Sequence, residues 1–207
     1  MIISHKHKYI FFAVPKTATH AIREALRCSK GVDDWEQQQL FGQQVLPIPS
    51  IASIKHGHIS VKEIQPVLDV AQWQSYFKFA FVRNPFDRFV SACAFLNRGN
   101  PQFKLKPTQW MHVALTRPQF RQRALIRPQS EQLCDSNSVS VMDFVGRYES
   151  LQASLNDVSD RLLLPRSILE VRNRSQHGQY RQYYDDSLKR QVAALYEKDL
   201  DSYHYSF

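Results

Sequence analysis

Residues 9–25 read YIFFAVPKTATHAIREA, an apolar run that breaks at Pro15 into Lys16, Thr17, Ala18, Thr19 and His20 and then takes up a helical period. Tyr9 to Val14 has the length and continuity of a strand buried on both faces. After the turn, Ala21, Ile22, Ala25 and Leu26 form an apolar stripe, and Arg23, Glu24 and Arg27 are predicted to face away. A strand that turns into a helix N-terminus gathers free backbone N–H groups at one point. A lysine in the same turn adds charge, so the unit suits a phosphate or sulfate. The glycines of G-x-x-x-x-G-K-[ST] are missing, which argues against ATP or GTP. Pro15 as a plain helix start, Lys16 as a solvated charge and Thr17 or Thr19 as a cap explain the same residues without any ligand.

The pattern recurs at Phe77 to Val82 (FKFAFV), which is followed by Arg83 and a second helical stripe of Phe86, Phe89, Val90, Cys93 and Ala94. Asn84 is the expected cap, Pro85 the first helical residue and Asp87 a first-turn acid. At about 100° per residue, Asn84, Arg88 and Ser91 project from one side, opposite the stripe. An arginine at the strand end and a hydroxyl two turns into the helix can hold one phosphate between them, the arginine in bidentate fashion. An ordinary helix start, with Arg83 paired to a carboxylate, is the alternative. Two strand-turn-helix units predict an α/β fold with a central, mainly parallel sheet flanked by helices. Ligands of such sheets bind beyond the carboxyl ends of the strands, where both candidate anion sites fall. Two phosphate sites suggest a nucleotide phosphorylated at both ends.

The 207 residues fit one domain, 1–207, with a real core. Twenty-seven Lys and Arg against 19 Asp and Glu give a net charge of +8, which favours an anionic ligand, an acidic polymer or nucleic acid. Cys28, Cys93 and Cys134 contain no C-x-x-C pair, which argues against a disulfide framework and a zinc knuckle. The N-terminal apolar stretch is short for a signal peptide, and no run reaches the roughly 20 residues of a membrane span. The chain is therefore expected to be soluble and cytoplasmic. Residues 30–53 and 99–129, rich in Gln or Pro, read as irregular. Val139 to Glu149 reads as a strand, Ser150 to about Leu163 as a helix, and a last amphipathic helix follows Asp185 and Asp186.

VPKTATHAIREAL resembles the 5′-phosphosulfate loop, and FAFVRNPFDRFVSACAF the 3′-phosphate motif, of the sulfotransferases that use 3′-phosphoadenosine 5′-phosphosulfate. KHGHIS, RPQSEQL, DFVGRYESL and the C-terminal HGQYRQYYDDSLKRQVAALYEKDLDSYHYSF extend the similarity to the carbohydrate-type branch, which holds Golgi heparan and chondroitin sulfotransferases and smaller bacterial relatives. The resemblance implies a P-loop-like three-layer fold and transfer of a sulfuryl group from this donor to a hydroxyl or amine, with adenosine 3′,5′-bisphosphate as product. A sugar hydroxyl on a glycan, lipid or small metabolite is the acceptor it suggests. It implies that Pro15 to His20 cradle the 5′ end, that Lys16 contacts the transferring group, and that Arg83 and Ser91 bind the 3′-phosphate. Ala18 stands where the family commonly has glycine, and His20 where it has serine or threonine. Alanine there disfavours left-handed backbone without strain.

Such a transfer needs no metal; it needs positioning, neutralisation of charge growing on the bridging oxygen, and a base for the acceptor proton. Lys16 suits the second role and a histidine the third. Lys55-His56-Gly57-His58 offers two, both on one side of an extended segment, with His56 the first choice as base. Zinc held by His56 and His58 lacks a third ligand, and two solvated histidines explain the segment equally simply. Arg172, Arg174 and Arg181 are candidates to face phosphates, and Arg127, Pro128 and Gln129 to border the acceptor cleft. A P-loop small-molecule kinase would need a magnesium-binding acid where Arg83 and Asn84 stand. A non-catalytic binder of nucleic acid or acidic glycan rests on net charge alone, and no nucleic-acid-binding signature accompanies it.

Overall fold

The computed structural model describes residues 1–38, 44–169 and 179–207. Two compact units divide them, Met1–Val82 with Glu131–Val171 and Arg83–Ser130 with Arg172–Phe207.

The first unit carries a five-stranded sheet. Its strands are β1 (Ile2–Ser4), β2 (Tyr9–Phe12), β3 (Trp35–Glu36), β4 (Phe77–Val82) and β5 (Phe144–Arg147), in the order β3-β1-β2-β4-β5. β2, β4 and β5 run parallel, with Phe11 beside Phe79 and Phe79 beside Phe144. β1 pairs antiparallel with both β2 and β3, so the sheet is mixed, with β1 alone running against the other four strands. The cause lies upstream of Tyr9: Ile2 and Ile3 pair with Phe11 and Ile10 across the tight turn at residues 5–8. β3 then adds to β1 from within the segment expected to be irregular. The predicted strand at 139–149 contracts to Phe144–Arg147.

One face of the sheet buries Tyr9, Phe11, Phe79 and Phe81 against Ile22 and Leu26 of helix Thr19–Arg27 and Leu155 and Val158 of helix Leu151–Arg161. On the other face, Trp73 of helix Val70–Ser75 meets Phe12 edge-on, with ring centroids 6.5 Å apart. Arg23 does not face away from this core as expected. It is buried beside a fully buried Glu36, because β3 supplies a carboxylate that the local helical pattern cannot reveal.

The second unit is helical. Helix Pro85–Leu96 is its centre, and Phe86, Phe89, Val90 and Cys93 join Met111, Phe120, Leu188, Val192 and Tyr196 in one core. The side opposite the apolar stripe is buried as well, with Arg88 at 0% and Ser91 at 1% exposure. Residues 99–129 are not irregular either. Pro101, Pro107 and Pro118 each open a short helix, taking the first helical position where the missing N–H costs nothing. The final helix breaks in two, Asp186–Leu195 and Glu197–Tyr203. No helix among the described residues is long and apolar enough to cross a membrane.

Candidate functional site

β2 ends at Phe12, and residues 13–18 turn the chain into helix Thr19–Arg27. Two residues of the turn, Lys16 (φ 68°) and Ala18 (φ 61°), are left-handed. Ala18 thus adopts the conformation that the missing glycine made improbable, at a cost of roughly 1–2 kcal/mol. Left-handed residues in a turn aim successive backbone N–H groups toward one concavity, the geometry of an anion nest. No side chain caps the helix. Thr17 is buried with Oγ1 donating to Val14 O at 2.9 Å, so its hydroxyl is spent on the turn, and Thr19 is the first helical residue. His20 is exposed on the helix; its Nδ1 lies 3.2 Å from Gln38 Nε2. Partial burial, then Arg23, lowers its pKa.

The histidine segment belongs to the same unit. His58 Nδ1 is 2.7 Å from Ala13 O, immediately beyond β2. The carbonyl can only accept, so Nδ1 carries the proton and Nε2 the lone pair. Burial pulls the His58 pKa down to about 3, against the opposing pull of the Ala13 carbonyl. His56 Nδ1 instead accepts from the His58 backbone N–H at 3.3 Å, and the two rings lie 5.9 Å apart.

Buried residues that the sequence patterns did not single out hold this segment. Gly57 O accepts from Arg23 Nη2 (3.2 Å) and the Met1 amine (2.6 Å). Gln37 Nε2 reaches Ile51 O, Ile54 O and His56 O. A Cβ on Gly57 would stand 2.3 Å from Gln37 O, so only glycine fits. Gln132 Nε2 spans Ala13 O (3.2 Å) and Ile59 O (3.1 Å), tying the end of β2 to the stretch after His58. Arg27 grips Glu36 through Nε (3.0 Å) and Nη2 (2.7 Å), while Arg23 Nη1 lies 3.5 Å from it. No pattern in the sequence joins these residues; only the glutamines' low exposure, a three-dimensional property, marks them.

Arg83, the first residue after β4, is 4% exposed. Its Nε and Nη2 contact Asp87 Oδ2 at 2.8 and 2.7 Å, the carboxylate pairing weighed as the alternative to an anion grip. Asn84 caps the following helix by accepting from the Phe86 N–H, as expected. The Ser91 hydroxyl is enclosed and has no hydrogen-bond partner. Arg88 spends its guanidinium on the carbonyls of Leu125, Ile126 and Arg127, so it is structural. Arg181 lies over the rings of Tyr180 and Phe207, while Arg172 and Arg174 fall outside the described residues. Among the described residues, no three His, Cys, Asp or Glu side chains are grouped to hold a metal ion.

A family model described as the sulfotransferase family matches residues 1–206. The chain belongs to the sulfotransferase family. This is the family of carbohydrate sulfotransferases such as those acting on heparan and chondroitin, and its chemistry is sulfuryl transfer. Neither a curated protein nor a solved structure matches the chain significantly. In this sulfotransferase-family chain, the first unit presents Lys16 in a left-handed turn before a helix with no side-chain cap, and the second holds the Ser91 hydroxyl, buried without a hydrogen-bond partner.

Proposed function

We propose that the chain is a soluble, cytoplasmic enzyme of one P-loop-like domain that transfers a sulfuryl group from 3′-phosphoadenosine 5′-phosphosulfate to a hydroxyl of a carbohydrate or glycoconjugate. The observation that carries this reading is the turn at residues 15–18, whose two left-handed residues open an uncapped helix beside Lys16. Pro15 to His20 hold the 5′-phosphosulfate, and Arg83 with Ser91 holds the 3′-phosphate. The acceptor oxygen attacks sulfur in line with the bridging oxygen, the sulfur–oxygen bond to the phosphate breaks, and adenosine 3′,5′-bisphosphate leaves. Lys16 offsets the charge growing on that bridging oxygen.

Of the two histidines, the hydrogen bonding favours His58 as base. Its Nδ1–H is committed to Ala13 O, which leaves Nε2 to accept the acceptor's proton. His56 supports it through the His58 backbone N–H. Burial holds the His58 pKa down to about 3, and a donor's negative charge beside it acts in the opposite sense, favouring the protonated form that the transfer generates.

The test pairs binding with turnover. Purified protein is expected to bind adenosine 3′,5′-bisphosphate, to lose that binding in Arg83→Ala, and to transfer radiolabelled sulfate from the donor to a carbohydrate panel. Lys16→Ala and His58→Ala should each lower turnover by about 10² or more. Failure of the wild type to bind the bisphosphate refutes the reading.

A further inference from the structure

Arg83 stands one residue beyond β4, where the ladder to β5 has ended at Val82 and Arg147. A strand residue past its last partner leaves a backbone donor and acceptor that must be satisfied some other way. Here one side chain satisfies both: the Arg83 N–H donates to Gln129 Oε1 at 3.0 Å, and Gln129 Nε2 donates to Arg83 O at 2.9 Å. The primary amide of Gln129 thus offers Arg83 the donor and acceptor pair that a neighbouring strand would have offered.

Gln129 is itself fixed. Its backbone N–H donates to Asp199 Oδ2 at 2.7 Å, its Nε2 lies 3.4 Å from the same oxygen, and Ser130 N–H donates to Asp199 Oδ1 at 2.8 Å. Asp199 is 0% exposed and Gln129 1%. Nε2 faces two acceptors while Oε1 faces an N–H, so only one orientation of the amide satisfies every contact. Arg88 fixes the approach to Gln129 by binding the carbonyls of residues 125–127, and Tyr196 Oη donates to Ile126 O at 2.6 Å.

Buried amides and carboxylates whose partners are all in place rigidify the backbone they hold, and a binding contact needs its groups within about 0.5 Å of the productive geometry. Arg83 is consequently held at three points, its N–H, its C=O and, through Asp87, its guanidinium. We propose that Gln129, oriented by Asp199, is a positioning residue that aims Arg83 and so sets the preference for a 3′-phosphorylated nucleotide. This inference rests on the proposed role of Arg83.

Calorimetric titration of adenosine 3′,5′-bisphosphate and adenosine 5′-monophosphate into the full chain tests it. Gln129→Met, which keeps the volume and removes both bonds to Arg83, is expected to weaken bisphosphate binding about tenfold while monophosphate affinity stays within about twofold. Placed on Arg83→Ala, Gln129→Met should cost no further bisphosphate affinity, because the residue it aims is gone. If Gln129→Met melts below the assay temperature, Gln129→Glu takes its place; it keeps the acceptor for the Arg83 N–H but loses the donor, and the same selective loss is expected. Equal loss of both nucleotides, no loss, or an additive double variant overturns the positioning role alone. A wild type that does not prefer the bisphosphate, or an Arg83→Ala variant that keeps the preference, overturns the role of Arg83 and this inference with it.

Discussion

At the scale of single residues, Ala18 and His58 show what the site demands of the chain. Ala18 is left-handed at φ 61° and ψ 32°, a conformation that costs a Cβ-bearing residue roughly 1–2 kcal/mol. Glycine would relieve that strain and return about half of the gain as extra freedom of the unfolded chain. Ala18→Gly is therefore expected to stabilise the protein by about 0.5–1 kcal/mol, read as a higher urea midpoint at unchanged slope; a lower midpoint contradicts the strain. His58 works in the opposite sense. Its pKa falls from 6.5 in the unfolded chain to about 3, so unfolding takes up a proton anywhere between these values. The contribution of neutral His58 is complete above pH 6.5 and is lost as pH falls toward 3, by at most about 1.4 kcal/mol per pH unit. Wild type should lose more stability than His58→Gln between pH 7 and pH 5 in paired denaturation curves. Parallel curves would show that His58 titrates normally.

At the scale of elements, what could be read in advance was whatever depended on neighbours along the chain. β4 begins and ends as its apolar run does, and Asn84, Pro85 and Asp87 open the next helix as cap, first residue and first-turn acid. Other features depended on partners far away in sequence. Arg23 reads as solvated because it stands off the apolar stripe of its helix, yet Glu36 arrives thirteen residues later and draws it inward. Arg88 and Ser91 fall opposite the apolar stripe of their helix, yet both are buried, Arg88 against the carbonyls of residues 125–127. Pro101, Pro107 and Pro118 read as breakers along the sequence, whereas each starts a helix. The candidate site divides the same way. Lys16, Arg83 and the two histidines can be named as candidates from their turns alone. The hydrogen bonds of Gln37, Gln132 and Asp199, and that of Gln129 to Arg83 where the sequence suggests only a border of the acceptor cleft, cannot, since an amide chooses its partners in space and leaves no period in the sequence.

At the scale of the whole molecule, the net charge of +8 bears on how the donor arrives rather than on how it is held. The proposed donor carries several negative charges, so a positive field should speed its encounter, and salt should screen that field over about 8–10 Å at moderate ionic strength. Contacts inside the turn at residues 15–18 and around a 4%-exposed Arg83 are far less open to screening. Stopped-flow measurement with a fluorescent analogue of adenosine 3′,5′-bisphosphate should therefore show the association rate falling several-fold between about 20 mM and about 300 mM salt, with the dissociation rate nearly constant. A non-catalytic binder of an acidic polymer would behave differently, because it releases one counterion per phosphate or sulfate it covers and its equilibrium affinity falls by orders of magnitude over the same range. A collapse of affinity of that size would favour the polymer binder over the nucleotide enzyme. A modest loss confined to the association rate is what a closed anion site on a basic protein produces.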